Sequence, residues 1–289
     1  MEVSINQEET FNLIRYRLPD PQADVELEVK DYLAFHESSK EVKFDTFRDR
    51  PTEFYAQSKA FFVELLGEHL KLRHLLFRTG LLVGLAKQIQ ATTYADWGAG
   101  SGRDCIAMAR SGLQVTHYDI LGEGTRLAAW RYQVRGLNVQ IADATNPPEA
   151  QYHMISNFDC LEHVEDPVWV LGQIISRLKP GGFLFLAVDF YNFDLNATGP
   201  HLPKNFVYGG ILQMVLEKLG FQKIYGADNV WKDTALAYLM VWQKPVHWDK
   251  DRLLLRTLYK ETYELLSRFR GFYEQEMSQI DKKLLASLV

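Results

Sequence analysis

Cysteine is nearly absent: Cys105 and Cys160 are the only two in 289 residues, and they lie far apart. Two isolated thiols build neither a disulfide framework nor a C-x-x-C metal knuckle, so a reducing, cytoplasmic setting is expected. Long apolar runs are also missing. The best candidate, Leu72 to Ile89, is interrupted by Arg73, His74, Arg78 and Lys87, which a membrane-spanning helix does not tolerate. The opening MEVSINQEE is acidic and polar where a secretory leader is basic and then apolar, and Glu2 stands where myristoylation needs glycine, so export and lipid anchoring are not expected. Positive charge is not in surplus: 32 Lys and Arg face 37 Asp and Glu, for a net charge of −5. Such a surface does not attract phosphate backbones and weighs against a nucleic-acid partner. Nor does any basic amphipathic helix offer itself to an anionic membrane. What remains, with 47% hydrophobic and 24% charged residues, is the balance of a globular protein able to bury a full core.

Three regions separate by pattern, without internal repeats or low-complexity tracts. Residues 1–90 read as a helical cap, with apolar positions at Phe61, Phe62, Leu65, Leu66 and Leu70 and again at Leu81, Leu82, Leu85 and Ile89. Within it, Ser38 to Pro51 lacks clear periodicity and suggests a lid or loop. Residues 91–245 alternate short β-rich runs (TTYADW, QVTHYD, NVQIA, HMISNF, FLFLAVD, FQKIYGA, ALAYLMVWQ) with helical stretches near 103–110, 124–134, 168–178 and 206–219. That alternation predicts an α/β fold, a mostly parallel, Rossmann-like seven-stranded sheet with helices on both faces. Residues 246–289 form one long helical pattern with an apolar stripe at Leu255, Tyr259, Leu266, Phe269, Tyr273, Met277, Ile280 and Leu284. The stripe needs a partner, either the N-terminal helices or a second copy of the chain in a homodimer.

The sharpest local signal is Tyr94-Ala95-Asp96-Trp97-Gly98-Ala99-Gly100-Ser101-Gly102-Arg103-Asp104, a strand running through a glycine-rich turn into a helix. Glycines at 98, 100 and 102 let the backbone bend sharply and approach a ligand, and the helix beyond offers free amide donors. A dinucleotide fingerprint wants its third glycine three places after the second, whereas Gly102 follows Gly100 by two and Arg103 occupies the required position. Ser101 is no nucleophile elbow either, because Ala99 and Arg103 stand where glycines are needed.

This D-x-G-x-G-x-G run after a strand resembles the first motif of the class I S-adenosylmethionine-dependent methyltransferases, and later segments resemble that family in order. Asp119 closes the second strand one βα unit on. Ala142-Asp143-Ala144 closes the third, Ile155 to Pro167 contains an L-E-H-V-x-D-P ending, and RLKPGGFLFLAVD follows. The resemblance, over roughly residues 92–245, implies S-adenosylmethionine as cofactor and S-adenosylhomocysteine as product. It implies ribose hydroxyls on Asp119 with Ile120 beside it, and adenine on Asp143 and the neighbouring amide at Ala144. The methionine end would lie near Asp96, Gly98, Ala99, Gly100 and Gly102, with Asn157 and Phe158 completing the set.

Methyl transfer is an in-line displacement, so the chain must align the acceptor and remove its proton where it has one. His163 is the residue type best suited to that, although the Glu162-His163 pair can equally brace its turn. Asp189 and Tyr191, in the aromatic and acidic stretch after the fifth strand, and His201 further on are the other catalytic candidates. His36, Tyr55 and Tyr208 are weaker ones. A small-molecule acceptor is expected. Two alternatives stay open: a lipid-directed or cyclopropane-forming relative, and a scaffolding protein that keeps the fold without catalysis.

Overall fold

The structure, a computed structural model, describes residues 50–58, 73–190, 202–226, 239–249 and 253–287, and leaves the side chains of 73–77, 203 and 272–287 undescribed. Tyr191 and His201, and most of Ser38 to Pro51, lie outside those residues. Two helices come first, α1 (Pro51–Gln57) and α2 (Arg73–Gln88). The sheet follows as β1 (Thr93–Trp97), α3 (Arg103–Arg110), β2 (Gln114–Asp119), α4 (Glu123–Val134), β3 (Val139–Asp143), β4 (Tyr152–Phe158), α5 (Pro167–Arg177) and β5 (Leu178–Ala187). The chain then forms α6 (Ile211–Lys218), β6 (Gln222–Tyr225), β7 (Leu239–Gln243) and α7 (Leu254–Ser287). Strand order is β3-β2-β1-β4-β5-β7-β6, with β7 antiparallel to both of its neighbours and the rest parallel.

The seven strands read from the sequence are all present, and runs such as MISNF and FLFLA are buried on both faces in the middle of a covered sheet. One face packs Ala95, Trp97, Ile155, Leu184 and Trp242 under α5, α6 and α7. The other packs Tyr94, Val115, Met154 and Phe185 against α2, α3 and part of α4. Thus α2, with Leu81, Leu82 and Leu85 buried, belongs to the layer that covers the sheet. The helix expected over 206–219 is split: a 3-10 turn at Pro203–Tyr208 gives way at Gly210, φ 75°, to α6.

Where its side chains are described, the C-terminal helix packs on α5 and α6. Of the expected stripe, Leu255 lies against Gly172 and Leu266 packs on the core, while Tyr273, Met277, Ile280 and Leu284 fall outside the described side chains. Leu254, Leu258, Thr262 and Leu265 are the buried positions, while Tyr259 and Phe269 are exposed. Gly172 of α5 makes room for Leu255 and Leu258, Lys218 pairs with Glu261, and the Tyr259 hydroxyl donates to Asp166. Asp166 in turn caps α5 by accepting from the Trp169 N–H at 2.9 Å, with Pro167 as the first helical residue. At the other end of α5, buried Lys244 donates to the carbonyls of Ile175 (2.8 Å) and Leu178 (2.7 Å) and lies 4.4 Å from the Trp248 ring. Among the described residues no helix is long and apolar enough to cross a membrane.

Leu258→Ala is therefore expected to destabilise the fold by about 2–5 kcal/mol. Tyr263→Ala, at a position 73% exposed, should change stability by less than about 0.5 kcal/mol. Urea midpoints of the two variants check the assignment, and equal losses would contradict it.

Candidate active site

Parallel sheets bind ligands outside the carboxyl ends of their strands, at the point where strand order reverses, which here is the gap between β1 and β4. The chain leaves β1 through Gly98, Gly100 and Gly102, all left-handed at φ 78°, 52° and 76°. Two of these glycines are demanded by the protein's own packing. A Cβ on Gly98 would stand 2.7 Å from Cys160 Cβ, and one on Gly102 would stand 2.6 Å from Cζ of Tyr132. The Gly98 and Ala99 amides both donate to the Tyr118 carbonyl, and the Gly100 amide donates to Asp119 Oδ2 at 2.6 Å. Oδ1 of Asp119 accepts from Ile120 N–H at 2.7 Å. The carboxylate is thus locked against the glycine turn, each oxygen keeping a free lone pair.

Asp143 faces Asp119 across the β2–β3 ladder. Its Oδ1 accepts from both the amide (2.8 Å) and hydroxyl (2.7 Å) of Thr145. The Ala144 amide, expected to face a ring nitrogen, instead donates to the Asp119 carbonyl at 2.9 Å. Asp96 lies beneath the turn, buried, accepting from Ser156 Oγ at 2.6 Å, with the Tyr94 hydroxyl bonded to the same serine. Asn157, fully buried at the end of β4, donates to the Trp97 carbonyl at 2.9 Å and keeps Oδ1 without a partner. Phe158 underlies the guanidinium of Arg78, 4.2 Å from its ring.

Two residues that the sequence reading undervalued converge here. Arg78 Nη1 bonds Asp159 Oδ2 at 2.7 Å, and its Nε is buried with no partner. Asp159 itself is held in the left-handed region at φ 49°, an uncommon posture for a residue with a side chain. The signal for Arg78 was its helical spacing with Leu81, Leu82 and Leu85, which puts a cation on the buried stripe of α2. Tyr55, on α1, meets the His163 imidazole edge-to-face at 6.0 Å and is half-buried within electrostatic reach of Cys160, Glu162 and Asp119. The close passage of Gly122, where any Cβ would strike the Ala56 backbone, seats α1 over the loop after β2. Phe54 closes against Leu202.

The turn after β4 forms a 3-10 helix, Leu161–His163. Glu162 is buried and accepts the Asp189 amide on Oε1 at 3.1 Å, so His163 and Asp189 are brought to the same rim. Burial raises the carboxyls of Asp96, Asp119 and Glu162. Asp104 adds to the shift at Asp96 and Asp159 to that at Glu162, while two amide bonds hold Asp119 to about 6. Away from the rim, His117 is fully buried against Tyr132, and burial lowers it to about 3.

A doubly wound sheet with this strand order, a glycine turn after β1 and acids at the tips of β2 and β3 defines the class I methyltransferase core. A methyltransferase-domain family model matches residues 69–218, more than half of the chain, and the protein belongs to that family. It is similar to the ubiquinone biosynthesis O-methyltransferase of Serratia proteamaculans, 32% identical over 123 residues, 41% of this chain and 48% of the relative. The corresponding Bordetella pertussis protein is 27% identical over 165 residues, 55% and 64% of the two chains. The chain spans about half the length of the curated relatives it matches. Among solved structures, the methyltransferase domain of bacterial CtHen1-C aligns with a TM-score of 0.43 and 16% identity, over 58% of this chain and 97% of that one. The [4+2]-cyclase SpnF gives 0.42 and 18%, over 57% and 80%.

The buried acids give stability a pH slope. A carboxyl raised in the folded state stabilises fully below its ordinary value, and that contribution is lost as pH rises through the folded value. His117 acts oppositely but only below its ordinary 6.5, and Asp119 is largely ionised above 6. From about pH 7 to about pH 8.5 the slope therefore belongs chiefly to Asp96 and Glu162, and the thermal midpoint should fall. Asp96→Asn should flatten the fall, and a wild-type midpoint constant over that range would contradict the assignment.

Proposed function

We propose that this protein transfers a methyl group from S-adenosylmethionine to a hydroxyl oxygen of a small molecule. The observation that carries the reading is Asp119, a carboxylate fixed at a strand tip by the Gly100 and Ile120 amides with acceptor capacity to spare. Two vicinal ribose hydroxyls are donors that such a group accepts. The remaining partners fit the same cofactor. Asp143, one strand over, can accept from an exocyclic amine, although the Ala144 amide is already engaged. At the methionine end, the unpartnered Arg78 Nε is a donor for a carboxylate, and the unpartnered Asn157 Oδ1 is an acceptor for an ammonium group. When bound, S-adenosylmethionine supplies an electrophilic methyl group on sulfur.

The chain's own tasks are orientation, exclusion of water and proton removal. α1 and the Leu161–His163 turn enclose the rim, and the burial they create favours an acceptor small enough to be enveloped. His163 is the group best suited to hold the departing proton of a hydroxyl, with Asp189 tied to the adjacent Glu162. Oxygen as the acceptor atom is supported by the relatives, which are ubiquinone biosynthesis O-methyltransferases.

Calorimetry with S-adenosylmethionine and S-adenosylhomocysteine should show binding of both and none of NAD. Asp119→Ala should weaken binding by about 1–3 kcal/mol through loss of charge-assisted hydrogen bonds. Release of S-adenosylhomocysteine with a panel of hydroxylated aromatic compounds then tests the transfer. Binding of NAD in place of the sulfonium, or an Asp119→Ala affinity equal to wild type, would overturn the reading.

A further inference from the structure

We propose that Glu162 is a positioning residue for the acceptor side of the site, tying Asp189 and Leu202 to the turn that follows β4. Its side chain and its backbone each hold one of them. Oε1 accepts the Asp189 N–H at 3.1 Å, and the Glu162 carbonyl accepts the Leu202 N–H at 3.1 Å. These bonds join residues far apart in sequence: Asp189 lies just past β5, and Leu202 leads into the 3-10 turn before α6.

A second side chain reinforces the junction. Asn205, buried, donates through Nδ2 to the carbonyls of Val164 (2.8 Å), Glu162 (3.1 Å) and Leu161 (3.4 Å). Leu202 in turn packs on Phe54 of α1, next to Tyr55. The turn bearing His163 is thereby fastened to the chain beyond β5 and to the start of the segment before α6. Glu162 Oε2 is buried with no partner, a cost that an apolar side chain of similar size would avoid. Burial beside Asp159 and Asp189 keeps the carboxyl protonated beyond the ordinary carboxylate range, so glutamine is a close neutral stand-in. Tyr55 from α1 and Cys160 from the same turn also lie within electrostatic reach. That this rim faces the acceptor rests on the methyl-transfer reading; the tie itself does not.

The test uses the full chain as wild type, Glu162→Ala and Glu162→Gln, with amide hydrogen exchange followed residue by residue by NMR and S-adenosylhomocysteine affinity measured in parallel. In Glu162→Ala the Asp189 amide should exchange at least about tenfold faster, the loss of one hydrogen bond, while the Leu202 amide, bonded to a backbone carbonyl, stays within about twofold. Glu162→Gln should restore the Asp189 rate. A residue that merely stabilises the fold would speed Asp189, Leu202 and core amides such as Ile155 together, and that result overturns the proposal. So does unchanged Asp189 exchange in Glu162→Ala, or failure of glutamine to rescue it. Absence of S-adenosylhomocysteine binding to wild type, with the exchange pattern as expected, overturns the methyl-transfer reading and leaves the tie intact.

Discussion

Between Trp97 and Arg103 the backbone passes three times through the left-handed region, and the geometry around the site depends on that passage. Only there can the chain drop from the tip of β1 into α3 while its amides stay turned toward the Tyr118 carbonyl and the Asp119 carboxylate. Had the turn been wider, Asp119 would lose one of the two amides that hold its oxygens, and a buried carboxylate without donors is a costly object. Asp96 supports the same turn from below through Ser156 and Tyr94, two side chains on neighbouring strands. Asp119 and Asp96 therefore sit around one hydrogen-bonded turn, and burial raises the proton affinity of both, with Asp104 adding to the shift at Asp96.

The parts of this arrangement that follow local rules were legible in the sequence. Strands announced themselves because central parallel strands are apolar on both faces, and the glycine turn because few residues other than glycine tolerate positive φ. Asp119 and Asp143 could be placed by counting βα units. What escaped were groups whose role is set by partners distant in the chain. Arg78 looked like an interruption of an apolar run, yet it is the cation that answers Asp159 and overlies Phe158. Tyr55 stood only among the secondary candidates until the fold laid it edge-to-face on His163. Lys244 lies in a stretch with no motif and turns out to cap α5.

The C-terminal helix shows a different limit. Periodicity identified the helix and brought Leu255 and Leu266 to the packed side, but it also placed there Tyr259 and Phe269, which are as apolar on a wheel as the buried Leu254 and Leu258. Which ridge is buried was decided by Gly172, a gap on α5 into which Leu255 and Leu258 settle. The Tyr259 hydroxyl could then reach Asp166 from the helix edge, so an aromatic expected in the interior became a polar contact at its border. Ala144 teaches the same lesson at the site: an amide assigned to a ligand is spent on the sheet.

The contacts of Gly98 with Cys160 and of Gly102 with Tyr132 also bear on how such a protein can diverge. In each pair the space denied to one member is filled by the other, so neither position is free to drift alone. A bulkier residue at 160 would press on the turn as surely as a side chain at 98, although residue 160 belongs to no glycine motif. Lineages of this fold that lose the first glycine should be those that first emptied the site across from it, which makes the history of the turn one of ordered, paired replacement.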